Sequence, residues 1–130
     1  MSASDHLSEW QFATGKMRLR DMSPTASVPF DASDFDILKS HIRENGVQSP
    51  ISIKHDRPNY RPGDSRPRRG QNYIEQGHHR RRALTQLGRD DAPVNVRYRD
   101  QMPADLIDPR PISRDEYVEN LRQPSWTERR

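Results

Sequence analysis

The chain has 130 residues, of which 32% are charged, 30% are hydrophobic and 11 are proline; a core drawing on its whole length is therefore not expected, and one small domain with loop-rich or partly disordered ends is expected. No apolar run approaches the roughly 20 residues of a membrane helix, the N-terminus lacks the regions of a secretory signal, and the absence of cysteine excludes disulfides and thiolate chemistry, so a cytoplasmic protein with no membrane partner is expected. The net charge of +3 is unevenly spread: residues 57–99 hold 11 Arg, no Lys and 4 acidic residues, a balance of +7, which leaves −4 for the rest and points to a phosphate-bearing partner.

Residues 1–15 read as a flexible tail, with Trp10 docked on the domain. Lys16 to Arg20 alternates polar and apolar residues as a short strand does. Met22 to Phe30, with Pro24 and Pro29, is an extended connector. Ser33 or Asp34 is a candidate N-cap, Phe35, Leu38 and Ile42 follow at helical spacing, and Gly46 suits the left-handed C′ position, which predicts a helix over 33–45. After Pro50, Ile51 and Ile53 alternate with Ser52 and Lys54, giving a strand with one buried face.

Residues 55–71 carry three prolines, two glycines and five arginines and read as a mobile basic loop between two strands. Tyr73 and Ile74 open the second of these strands, which ends near Gln76. Gly77 marks a sharp turn. A helix over 78–87 has Ala83, Leu84 and Leu87 as its apolar stripe and Gly88 at C′. Pro93 to Tyr98 alternates as a strand. Residues 100–112, with Pro103, Pro109 and Pro111, read as linker. Ser113 and Glu116 have the capping-box spacing, and Tyr117, Val118 and Leu121 give a short helix over 113–122, beyond which the chain, with Trp126, is expected to fray. The domain proper is thus 16–99, preceded by a tail and followed over 100–130 by a linker and a C-terminal helix. The expected fold is α+β, a mixed sheet with two or three helices. Its expected core is Leu38, Ile42, Val47, Ile51, Ile53, Ile74, Ala83, Leu84, Leu87, Val94 and Val96.

The chemistry concentrates in Gly77-His78-His79-Arg80-Arg81-Arg82, where a strand turns into a helix. The first N–H groups of a helix have no internal partners, and its dipole adds positive charge there, so this end attracts anions. Arginines in a first turn oppose that dipole and cost stability, a cost that makes sense when an anion sits among them. Arg82 shares a face with His78 and with His79. Arg80 lies on the stripe of Leu84 and Leu87, so its stem is expected to be partly buried and its head directed, while Arg81 is expected to face solvent. Such a seat requires that the guanidinium heads neither splay apart nor pair with the chain's own acids. His78 is the one weak catalytic candidate, as an acid or base near neutral pH, and hydrogen bonding to phosphate is the favoured reading of it. No carboxylate pair and no three-ligand metal set stands out, and strand alternation is expected to turn Glu75 away from the motif. Arg57 to Arg69, with Tyr60 interleaved, suits nucleic-acid phosphates and bases.

Three features in order resemble the ParB/sulfiredoxin-like superfamily, specifically the ParB N-terminal-like domain, over about residues 34–98. They are the helix, Gly46 and strand from Leu38 to Ile53; Gly77-His78-His79-Arg80-Arg81-Arg82-Ala83, which is similar to the family's Gly-Glu-Arg-Arg-x-Arg-Ala phosphate motif; and Leu87-Gly88 followed by the Pro-Val-x-Val strand. The resemblance implies a site for nucleotide phosphates at Gly77, His78, His79, Arg80 and Arg82, bordered by Gln48 and Ser49; the basic loop and helix start add Arg66, Arg68, Arg69 and Arg81 as expected contacts for nucleic acid. The implied ligand is a nucleoside triphosphate, CTP or ATP, with Mg²⁺, and the implied partner is DNA more than RNA. A homodimer or a protein partner fits as well, as does an origin in a phage or mobile element.

Departures bound these implications. His78 stands where ParB has glutamate and sulfiredoxin its cysteine, so sulfinic acid reduction is excluded and ParB-type CTP hydrolysis is in doubt. His79-Arg80 matches the sulfiredoxin His-Arg pair, which favours retained phosphate binding. The part after residue 99 is shorter than ParB's helical DNA-reading domain, so a centromere clamp is not expected. The rival readings are an enzyme, either a ParB-like nuclease or a small-molecule kinase, and an interaction protein with a degenerate nucleotide site that engages a host protein through Trp10, Trp126 or the last helix.

Overall fold

The computed structural model describes residues 9–24, 32–47, 49–56, 70–99 and 101–122. Its strands are β1 (Gln11–Arg18), β2 (Met22–Ser23), β3 (Ile51–Asp56), β4 (Gln71–Gln76), β5 (Asp91–Tyr98) and β6 (Ile107–Ile112). Its α-helices are α1 (Ala32–Asn45), α2 (His78–Gln86) and α3 (Arg114–Leu121), and a 3₁₀ turn, Leu19–Asp21, joins β1 to β2. The strands form one mixed sheet in the order β2-β4-β3-β5-β1-β6. β3 runs antiparallel to β4 and parallel to β5, β2 is parallel to β4, and β1 is antiparallel to both β5 and β6.

Strand alternation gives the sheet two unlike faces. On one, Ala13, Met17, Ile51, Ile53, Ile74, Val94 and Val96 pack with Phe35, Leu38 and Ile42 of α1 and Ala83 and Leu84 of α2. On the other, Trp10 and Phe12 pack with Tyr117 of α3, the Phe12 and Tyr117 rings stacked at 4.5 Å. The expected core residues all lie in the first cluster, with Val47 and Leu87 at its partly buried rim. Ala13, Met17, Leu19, Met22, Phe35, Ala92, Tyr98 and Leu106 complete its buried members.

Two strands correct the sequence reading. β1 starts at Gln11 inside the expected tail and stops at Arg18, short of the expected Arg20. Gly15 permits close approach of the neighbouring strand: a Cβ there would lie 2.7 Å from the Ile107 carbonyl oxygen. β6 lies inside the expected linker. Pro109 and Pro111 are tolerated because β6 is the outermost strand, where missing N–H donors break no ladder on the free side. The connector from Met22 holds β2, paired with Asn72 and Tyr73. Helix α1 begins at Ala32, so Ser33 and Asp34 lie in its first turn instead of capping it. The capping expectation at α3 agrees with the structure, since Ser113 Oγ accepts from the Glu116 N–H at 3.1 Å.

Helix α3 is tied to the sheet through Asn95, whose amide donates to the Tyr117 carbonyl at 3.2 Å and accepts from Asn120 at 3.1 Å. Burial, reinforced by Glu75 and opposed by Arg97, pushes the Tyr117 hydroxyl up to about 12. The folded state thus holds this proton more tightly than the unfolded chain. The stabilisation is complete below the unfolded tyrosine value and is lost as pH rises through the folded one. An alkaline ultraviolet titration should show one of the four tyrosines ionising last, together with loss of α3. A Tyr117→Phe variant should lack that last step.

Candidate functional site

The candidate site lies where β4 ends beside the start of β3. Gly77 follows Gln76 with φ 111° and ψ 21°, in the left-handed half of backbone space, and opens α2. A Cβ here would stand 3.0 Å from Ile51 Cγ1, so glycine lets the turn lie flat on β3. The first helical hydrogen bond runs from the Arg81 N–H to the Gly77 carbonyl at 2.9 Å. A glycine cap supplies no side-chain acceptor, and the first turn holds no acid. The N–H groups of His78, His79 and Arg80 therefore have no acceptor within the helix, and the positive end of the dipole is not offset by a local carboxylate.

His78 and His79 are half-buried at this turn. Burial, then the charges of His79 and Arg81, lower the His78 pKa from its ordinary value and favour the neutral ring. An anion seated beside it would act in the opposite sense.

The three arginines diverge. Arg80 points inward as expected, and its Nη1 donates to the carbonyl oxygens of Ser49 at 2.9 Å and Pro50 at 2.6 Å. Burial lowers its pKa from the ordinary arginine value, yet a guanidinium stays charged. Arg81 does not simply face solvent as expected: it is half-buried, and its Nε donates to the Leu19 carbonyl at 3.3 Å. Arg82 is exposed, its guanidinium 5.7 Å from the centre of the Phe35 ring. The heads thus splay apart, which corrects the expected seat of converging guanidinium groups: Arg80 and Arg81 are engaged by main-chain carbonyls, and an anion at this turn must rest first on the helix N–H groups. What the turn offers is a set of helix N–H groups, two histidines and one exposed guanidinium at a helix whose first turn carries no acid.

Among the other expected site residues, Ser49 is buried at the border of the turn, with its carbonyl on Arg80. Gln48, Arg66, Arg68, Arg69 and Tyr60 lie outside the described residues, as does Trp126. Glu75 is turned away, and both its oxygens bind Arg97, at 2.8 and 2.7 Å. Trp10 is buried, with the guanidinium groups of Arg97 and Arg99 at 4.5 and 4.4 Å from its ring centre. Docking is therefore its role, and it is withdrawn as a contact for another protein. Among the described residues no group of three or more His, Asp or Glu is placed to hold a metal. The turn fits phosphate oxygens, which its N–H groups can bind. With no carboxylate in its first turn, it does not fit Mg²⁺ as a direct ligand set.

The sequence reading missed the partners that hold the motif. The carbonyls of Leu19, Ser49 and Pro50 and the Phe35 ring lie 30 to 62 positions away for the hydrogen-bonded ones, and no residue type announces a main-chain acceptor.

No family model matches the sequence, and no curated protein is significantly similar to it. Solved structures do match. C-terminally truncated chromosome-partitioning protein ParB from Caulobacter crescentus, complexed with CTP-γ-S, superposes with a TM-score of 0.52 and 24% identity over 68% of this chain and 46% of that one. Sulfiredoxin from Arabidopsis thaliana gives 0.49 and 18% over 84% and 97%, and a free serine kinase in complex with AMP gives 0.46 and 20% over 64% and 30%. The chain thus spans about half the length of the ParB structure it matches. No helix among the described residues is long and apolar enough to cross a membrane. At this level of identity the likeness concerns architecture, and the chain has the ParB/sulfiredoxin-like fold.

Proposed function

We propose that this protein binds the phosphate groups of a nucleotide or of a nucleic-acid backbone at the Gly77 turn. One observation carries the reading: α2 opens on a left-handed glycine without a side-chain cap, and its first turn is basic and free of acid. Stability alone favours Asp or Glu at such a position. The ligand in this reading is held by the N–H groups of His78, His79 and Arg80, by the two imidazoles and by Arg82. Likeness in fold to a ParB that binds CTP-γ-S supports the nucleotide form. The arginine-rich 57–69 segment supports the nucleic-acid form, with Arg66, Arg68 and Arg69 as its contacts.

A thermal-shift series separates these sources. CTP, ATP, ADP and a short DNA duplex are each added with and without Mg²⁺. A ligand that binds only the native state stabilises it by about 2.7 kcal/mol at 100 times its Kd. Arg82→Ala should reduce the shift while lowering the unliganded melting temperature only slightly, because Arg82 is exposed and its contact with the Phe35 ring lies at the surface. If none of these probes raises the melting temperature, the reading fails.

A further inference from the structure

Resting on that reading, we infer that Arg80 is the positioning residue of the phosphate site and not one of its contacts. Its guanidinium lies inside the protein, and one nitrogen, Nη1, bridges two consecutive carbonyls, those of Ser49 and Pro50. These residues immediately precede β3, which begins at Ile51, and Ile51 is the residue on which Gly77 rests. The clamp therefore fixes two sides of the site together, the first turn of α2 and the entry to β3. It also draws two carbonyl dipoles onto a cation of the protein's own. Released, those oxygens would be free to turn toward an anion at the turn and oppose it. A lysine cannot replace this arrangement. Its ammonium keeps the charge but sits one bond nearer the backbone than Nη1, and so falls short of the two carbonyls that Nη1 bridges.

The inference separates the neighbouring arginines by function. A guanidinium that neutralises a phosphate displaces a counterion, so its removal lowers the salt dependence of DNA binding by about 0.9 in the logarithmic slope. A guanidinium that only shapes the site changes affinity and leaves that slope alone. Binding of a short labelled DNA duplex is measured across a range of salt for wild type, Arg80→Lys, Arg80→Gln and Arg82→Gln, with CTP as a second probe. Both Arg80 variants should lose affinity roughly tenfold or more, as small displacements of binding groups do, with the wild-type slope. Arg82→Gln should lose slope.

Amide NMR supplies a readout that general destabilisation does not move. In wild type, ligand should shift the signals of residues 77–79 and those of Ser49 and Ile51 together. In Arg80→Lys it should shift only the former. Should Arg80→Lys bind as wild type does, or Arg80→Gln lose slope, Arg80 is a phosphate contact and the inference is overturned. Should wild type bind neither probe, the phosphate reading itself fails, whatever the variants do.

Discussion

Replacing Ile53 with alanine is expected to cost about 3–4 kcal/mol, near the upper part of the range for buried isoleucine. In a domain of this size the melting temperature should fall by about 10–15 °C. Ile53 occupies the middle of the sheet, where β3 is flanked by β4 and β5. In register it sits between Ile74 and Val96, and all three side chains are 0% exposed. Both neighbours are held by ladder hydrogen bonds, and helices cover the row from above, so the hole cannot close by collapse. Ile37 is the matched control. It has the same side chain but is 48% exposed on α1, and Ile37→Ala should change stability by no more than about 0.5 kcal/mol. Chemical denaturation of both variants checks the pair. Equal losses would mean that the core is not centred on β3.

These two isoleucines show why most of the fold is legible. Ile53 alternates with polar neighbours and so announces a strand, but the expectation of one buried face is corrected: Ser52, on the opposite face, is also buried in the middle of the sheet. Ile37 lies off the stripe of Phe35, Leu38 and Ile42, and helical geometry then places it toward solvent. Where the period is clear, over α1, β3, α2 and β5, expectation and structure agree to within one or two residues at most ends. Where it is interrupted, they part. The tail before Lys16 and the prolines of β6 are read as outside the sheet, yet both lie in it, because Gly15 admits a neighbouring strand and an edge strand can lack donors. That knowledge is tertiary: it depends on which strand lies alongside, and no window of sequence contains it.

The site divides in the same way. Its position is legible, since a glycine between a strand and a run of basic residues fixes where the turn and the helix start must be. Its internal wiring is not. Helical spacing gives the direction in which Arg80 leaves the helix, and the structure agrees with that direction. The same spacing cannot say that the Ser49 and Pro50 carbonyls wait there, or that the Leu19 carbonyl accepts from Arg81. Three adjacent arginines look equivalent as letters. They become a half-buried clamp, a half-buried tie and an exposed cation only once β1 and the approach to β3 are in place.

The glycine that makes the site legible also gives it the sharpest test. Gly77→Ala is expected to destabilise the protein by about 2–3 kcal/mol, the range for a strained non-glycine backbone held in place by its surroundings. It is also expected to abolish the ligand-induced rise in melting temperature. Two costs combine. At φ 111° an L-residue is outside the favoured regions, and its Cβ would press within 3.0 Å of Ile51, itself fully buried and unable to yield. The backbone must then rotate or lift from β3, and either movement redirects the N–H groups of His78 and His79. Gly46→Ala separates strain from steric conflict. It has φ 75° but open space where its Cβ would go, so it should cost only about 1 kcal/mol and leave ligand binding intact. Measured together by thermal shift with CTP and with a DNA duplex, the two variants distinguish a turn that holds phosphate from one that only reverses the chain. If Gly77→Ala loses stability but keeps the full ligand-induced shift, the phosphate sits elsewhere on the protein.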